Sequence, residues 1–184
     1  MKDDRIMTAN GSIVGTVKVS SNAQDHPNFD NTKLHRYWSD WEEDVAELCD
    51  QIKNEDWLFV YGIPRGGVTL ATQISHRLGI PMVADAPGYW MLNWYHWRMR
   101  QNIELESKSK NILIVDSICD TGSTLDHIKK QVKAIANGDE MNYTFAVVDV
   151  DPSVIQKVDN YVNVKGPEWL VYPWEFGSQE LKKL

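Results

Sequence analysis

The run Asn111-Ile112-Leu113-Ile114-Val115-Asp116-Ser117-Ile118-Cys119-Asp120-Thr121-Gly122-Ser123-Thr124-Leu125 constrains this chain more than any other stretch. Its first half is an apolar run of the kind that fills a strand buried on both faces, and its second half is a small-residue turn opening a helix. In an open α/β sheet that junction lies at the carboxyl end of the strand, where ligands bind. There the backbone N–H groups of Asp120 to Thr124 point at an anion with the helix dipole behind them, and the carboxylates of Asp116 and Asp120 flank it.

The same strand, glycine turn and helix pattern occurs earlier. Trp57-Leu58-Phe59-Val60-Tyr61 runs into Gly62-Ile63-Pro64-Arg65-Gly66-Gly67, and Leu70, Ala71, Ile74 and Leu78 then mark an amphipathic helix closed by Gly79-Ile80-Pro81. Ser39 or Asp40 can cap a helix from near Trp41, with Val45, Leu48 and Ile52 on its apolar face. Short strands are expected at Met82–Ala84, Tyr143–Val150 and Tyr161–Val164, and Leu125, Ile128, Val132 and Ile135 make the helix after the central motif amphipathic. At least three alternating units predict an α/β fold with a mostly parallel twisted sheet and helices on both faces. Residues 1–31 read as a polar leader with a hairpin around Asn10-Gly11, and 32–184 as the main domain.

With 184 residues the chain is long enough for one self-sufficient core, and its formal charge of −7 argues against broad binding to nucleic acid or to anionic membrane. Cys49 and Cys119 lack the spacing of a disulfide framework or zinc site and read as free thiols. No run of about 18 apolar residues occurs, and the amino terminus lacks a signal-peptide core, so a soluble, cytoplasmic protein is expected. Residues 86–110 differ in composition from their surroundings. There Trp90, Trp94 and Trp97 would share one helical face, which is read as a packing or homo-oligomer contact.

Two glycine turns, each at the carboxyl end of an expected strand, could hold the two ends of one polyphosphorylated ligand if the strands are neighbours. Thr121, Gly122, Ser123 and Thr124 suit a terminal phosphate monoester, because hydroxyl donors add to the backbone amides. Arg65, among Pro64, Gly66 and Gly67, can grip a second phosphate with its fork. Asp116 suits sugar hydroxyls or Mg²⁺, and Asp120 is a candidate proton acceptor. Neither turn is a Walker A loop or a dinucleotide glycine fingerprint.

Ile112 to Thr124 resembles the PRPP-binding signature of the type I phosphoribosyltransferases, Tyr61 to Gly67 resembles that family's pyrophosphate loop, and Glu168-Trp169-Leu170-Val171-Tyr172-Pro173-Trp174-Glu175 is similar to the tail of its xanthine-guanine branch. The three matches occur in the family's order over about residues 36–176. The resemblance implies transfer of 5-phosphoribosyl from PRPP to a purine or purine-like base, with release of pyrophosphate, Mg²⁺ as cofactor and a small hood from the C-terminal segment. It places the 5-phosphate on residues 120–124, the pyrophosphate on Arg65 and its neighbours, the ribose hydroxyls on Asp116, and the base proton on Asp120. Trp169 would stack on the base while Leu170 reads its edge, and Arg98 or Arg100, in the position of the family's mobile loop, would close over pyrophosphate. Two departures stand out. Ser117 replaces the second of the paired acids, and Asp149-Val150-Asp151-Pro152 lies where oxopurine enzymes carry a lysine. A carboxylate there accepts hydrogen bonds, which predicts an amino-bearing or modified base contacted by Asp151 as readily as an oxopurine. The alternative to an enzyme is a PRPP- or nucleotide-binding regulator on the same fold.

Overall fold

The computed structural model describes residues 5–7, 13–16, 33–84, 111–136 and 142–175. Two short strands, β1 (Arg5–Met7) and β2 (Ile13–Thr16), pair antiparallel across the Asn10-Gly11 region, as the turn signal predicts.

The chain then enters β3 (Lys33–His35) and α1 (Trp38–Ile52). The helix starts earlier than the apolar periodicity suggests. Its N-cap is Tyr37, whose N–H donates to Asp40 Oδ2 at 3.3 Å, so Asp40 serves inside the first turn and not as the cap itself. Trp41, Val45, Leu48 and Ile52 are buried, and the glutamates between them face water.

Next come β4 (Trp57–Gly62), α2 (Gly66–Leu78), β5 (Met82–Ala84), β6 (Asn111–Cys119), α3 (Ser123–Ala136), β7 (Asn142–Val150), β8 (Asn160–Val164) and β9 (Trp169–Val171). Gly79, at a φ of 68°, ends α2 with its N–H on Ser75 O at 2.9 Å. The main sheet is parallel throughout in the order β5-β4-β6-β7-β8. β4, most of β6 and the last six residues of β7 are buried on both faces, which explains their continuous apolar runs. Val60, Leu113, Val115, Ala146 and Val148 face α1 and α2, while Phe59, Tyr61, Ile112, Ile114, Phe145 and Val147 face Leu125 and Ile128 of α3. Period-two alternation thus builds two cores, one on each side of a single sheet.

Two features place the functional end. First, β6 does not stop at Val115; it continues to Cys119 because β7 pairs with it through Asp116↔Val147, Ile118↔Asp149 and Cys119↔Val150. Asp116 and Ser117 therefore sit on a strand, with fixed directions, and only Asp120–Gly122 form the turn. Second, β3 and β9 form a separate parallel pair, Lys33↔Trp169, Leu34↔Leu170 and His35↔Val171. β9, in the C-terminal segment expected to form the hood, thus pairs with residues just before α1.

Candidate active site

β4 and β6 are neighbours, so both glycine turns open at the same edge of the sheet. Gly67 shows how closely the first turn is packed. A Cβ there would overlap the carbonyl oxygen of Val115 and lie 3.0 Å from Asp116 Cα, so only glycine lets α2 start against β6. The Ile63 N–H donates to Val115 O at 2.9 Å and ties the loop to the strand. Pro64 and Arg65 follow, joined by a cis peptide, with Arg65 exposed at the rim. The second turn requires Gly122 for a different reason, its φ of 73°. After it α3 begins, with the Asp126 N–H on Gly122 O at 3.0 Å and Thr121 Oγ1 3.1 Å from Ser123 Oγ.

A cavity of about 680 Å³ joins these turns to the hood. Pro64, Arg65, Gly66, Asp116, Ser117 and Asp120 line one side; Lys165, Trp169, Leu170, Tyr172 and Trp174 line the other. The structure thus brings together most of the residues the sequence nominates. Thr121, Gly122, Ser123 and Thr124 adjoin the cavity beyond Asp120 rather than line it, and Gly67 lies behind it against β6. Arg98 and Arg100, with Trp90, Trp94 and Trp97, lie outside the described residues. Trp169 is 69% exposed, an indole with an open face at the cavity mouth. Trp174 is a packing residue, stacked on Tyr172 at 4.9 Å and edge-on to Trp41 at 4.7 Å.

Asp116 accepts from its neighbour's backbone, Ser117 N, at 2.7 Å. Burial pushes its carboxyl up to about 7, against the pull of hydrogen bonds from the Ser117 and Gly67 amides and the Ser117 hydroxyl. Ser117 is buried, and its Oγ occupies the space a Cβ on Gly66 would take. The position where the family carries a second acid is therefore the contact between β6 and the start of α2. A carboxylate placed there would enter a packed site beside an acid that already resists ionisation.

Lys165 is the candidate site residue that sequence reasoning missed; it lines the cavity. It follows β8, its N–H donates to Val150 O at 2.9 Å, and its Nζ lies 2.7 Å from Asp120 Oδ1 and 3.4 Å from Asp151 Oδ2. Burial lowers its pKa, yet the two carboxylates more than offset that and hold the ammonium above its ordinary value. The position after β7 has no lysine, but the adjacent strand delivers one to the same edge. Asp151, expected to contact the base, has other partners. Its Oδ1 accepts from the N–H and hydroxyl of Ser153 at 2.9 and 2.6 Å, capping the 3₁₀ turn Pro152–Lys157, and its Oδ2 faces Lys165. It caps that turn and pairs with Lys165, and it is not among the residues that line the cavity. Asp149 is farther still from that role, being buried against Arg36 and Tyr172. A lysine 14 residues past Asp151, preceding Gly166-Pro167, was the signal available.

Residues 38–179 match the model of the phosphoribosyl transferase domain. The chain belongs to the phosphoribosyltransferase family. It is 30% identical over 160 residues to the xanthine-guanine phosphoribosyltransferase of Cereibacter sphaeroides, covering 79% of this chain and 89% of that protein. It is 26% identical over 150 residues to the orotate phosphoribosyltransferase of Sulfurisphaera tokodaii, covering 81% and 73%. Among solved structures, the purine phosphoribosyltransferase of Pyrococcus horikoshii Ot3 superposes with a TM-score of 0.59 at 26% identity, over 77% of this chain and 92% of that one. A phosphoribosyltransferase acts on PRPP and a nucleobase, and the type I fold, with a parallel sheet and paired turns at its carboxyl edge, is the one observed here. No helix among the described residues is long and apolar enough to cross a membrane.

Proposed function

We propose that this phosphoribosyltransferase moves the 5-phosphoribosyl group of PRPP onto a ring nitrogen of an oxopurine. The observation that supports an oxopurine is Lys165, a half-buried ammonium lining the cavity wall with Asp120 and Trp169. A base stacked on Trp169 presents its edge to that wall, and an ammonium there donates to an exocyclic oxygen and has nothing to offer an exocyclic amine. The expectation of an amino-bearing base rested on a missing cation, and β8 supplies one.

In this reading residues 120–124 cradle the 5-phosphate with backbone amides and hydroxyls at the start of α3, and Arg65 with the start of α2 holds the pyrophosphate. Asp116 orients the ribose hydroxyls. The base nitrogen attacks the anomeric carbon as the bond from that carbon to the pyrophosphate oxygen breaks, and the proton of the base passes to Asp120 once Lys165 has turned from Asp120 to the base oxygen. Phosphoribosyltransferases generally use Mg²⁺ with PRPP. Mg²⁺ is commonly held by one or two carboxylates completed by substrate oxygens and water, and Asp116, which lines the cavity, is the carboxylate that would hold it here. When bound it neutralises the pyrophosphate charge. A role in purine salvage, in the cytoplasm and as a homo-oligomer, belongs to the same reading.

The test is pyrophosphate release from PRPP and Mg²⁺ with hypoxanthine, guanine, xanthine, adenine and orotate. Oxopurines should lead, and Lys165→Met should lower their kcat/KM by roughly 10- to 100-fold, the loss of one charged hydrogen bond. A preference for adenine or orotate would refute the assignment, and so would a Lys165→Met enzyme with unchanged selectivity.

A further inference from the structure

The wall that receives the base and the strand that carries Asp116 are distant in sequence, and one phenol joins them. Tyr172 follows β9 by one residue, and its hydroxyl lies 3.1 Å from Ser117 O and 2.7 Å from Asp149 Oδ2. A phenol has a single proton, so the two acceptors share it. The hydroxyl is completely surrounded: Tyr172 is 4% exposed, Ser117 4% and Asp149 2%. Behind Asp149 stands Arg36, whose guanidinium pairs with Asp149 through Nη2 and with Asp44 through Nη1 at 3.0 Å. Arg36 is itself clamped, its N–H donating to Val171 O at 2.9 Å. Burial lowers the guanidinium, but the two carboxylates more than offset this and keep it charged.

A structural accent alone could be met by apolar packing, and replacing buried ion pairs with hydrophobic groups often stabilises a protein. This network instead ends at a backbone carbonyl beside Asp116, from a residue two positions past Leu170. The Tyr172 ring does not need its hydroxyl for packing, since Trp174 stacks on it at 4.9 Å and 6° and Trp41 meets it edge-on at 5.7 Å. We propose that Tyr172, held by Asp149 and Arg36, is a positioning residue that sets the spacing between the base-stacking wall at Trp169 and the ribose-holding carboxylate at Asp116. The role rests on the phosphoribosyl-transfer reading above. The pairing with β7 fixes the direction of β6, and the bond from Tyr172 to the Ser117 carbonyl ties that strand to the hood. A misplacement of about 1 Å between nucleophile and anomeric carbon is enough to slow a reaction that depends on alignment by up to ~100-fold.

The experiment is Tyr172→Phe in the full chain, which keeps the stacked ring and removes only the hydroxyl. With saturating PRPP, Mg²⁺ and the best base, kcat should fall about tenfold while KM for PRPP stays within about twofold, because the phosphate cradles at Arg65 and Ser123 are untouched. Backbone hydrogen exchange should quicken in both 116–119 and 169–172, a coupling that a local packing defect would not produce. Asp149→Asn should reproduce the kcat loss, and the double variant should be no slower than the worse single one. A Tyr172→Phe enzyme with kcat within twofold of the natural chain, or exchange that quickens in only one of the two segments, overturns the role. If the natural chain releases no pyrophosphate with any base, the transfer reading fails and takes this role with it; an active natural chain with an equally active Tyr172→Phe removes this role alone.

Discussion

Asp116 offers a quantitative test of the strand-end geometry, because its protonation is tied to folding. Its carboxyl sits at about 7 in the folded protein against 3.8 when unperturbed, with burial as the leading cause. The folded state therefore binds the proton more tightly than the unfolded chain. The contribution of this group to stability is fully present below about pH 4 and is lost as pH rises through about 7. Between those limits the slope is about 1.4 kcal/mol per pH unit, so about 3 units correspond to at most ~4 kcal/mol. Asp116 borders an open cavity, and solvent there screens the charge, so about 2 kcal/mol is the better expectation. Urea denaturation of the natural chain and of Asp116→Asn, from pH 5 to 8.5 with chelator present, isolates the effect. The Asn variant has no proton to lose; relative to it the natural chain should lose stability up to about pH 7.5 and then level off. A difference independent of pH, or one that favours the natural chain as pH rises, would show that Asp116 is well solvated and that β6 does not carry it into the packed edge beside Gly67.

Gly67→Ala should cost about 1–3 kcal/mol in the same denaturation assay, because its methyl meets the Val115 carbonyl and the Asp116 Cα, backbone atoms that cannot rotate aside. It should also weaken PRPP binding by displacing the loop of Arg65; an unchanged midpoint would mean that α2 does not abut β6. Trp169→Ala should leave the melting temperature within about 1 °C, since the ring is 69% exposed, while raising KM for the base about tenfold through loss of stacking. A large stability loss without a change in KM would make Trp169 a structural residue.

The sequence by itself determined the parallel sheet and the chemistry of its two turns. Apolar runs such as Leu58–Tyr61 and Ile112–Val115 are local signals of strands buried on both faces, and the residues that follow them, Gly62–Gly67 and Asp120–Thr124, are glycine turns within a few residues of the strand they end, the kind of junction that suits an anion. Such information is contiguous, so it survives without coordinates. What only the tertiary structure decided are the pairings between distant segments. The extension of β6 through Ser117 depends on β7, 31 residues further along by the register Asp116↔Val147, and the hood depends on β3 meeting β9. Lys165 reaches Asp120 because β8 lies beside β7, a neighbour relation that no local pattern announces. The end of β7 illustrates the reason. Read along the chain, Asp149 and Asp151 make it acidic; folded, the first is paired with Arg36 and accepts from Tyr172, the second is occupied by Ser153 and Lys165, and it is Lys165 that lines the cavity, beside Asp120. Strand propensity and turn chemistry act over a few residues, whereas the sign of charge at a site is a sum over whatever the fold brings there.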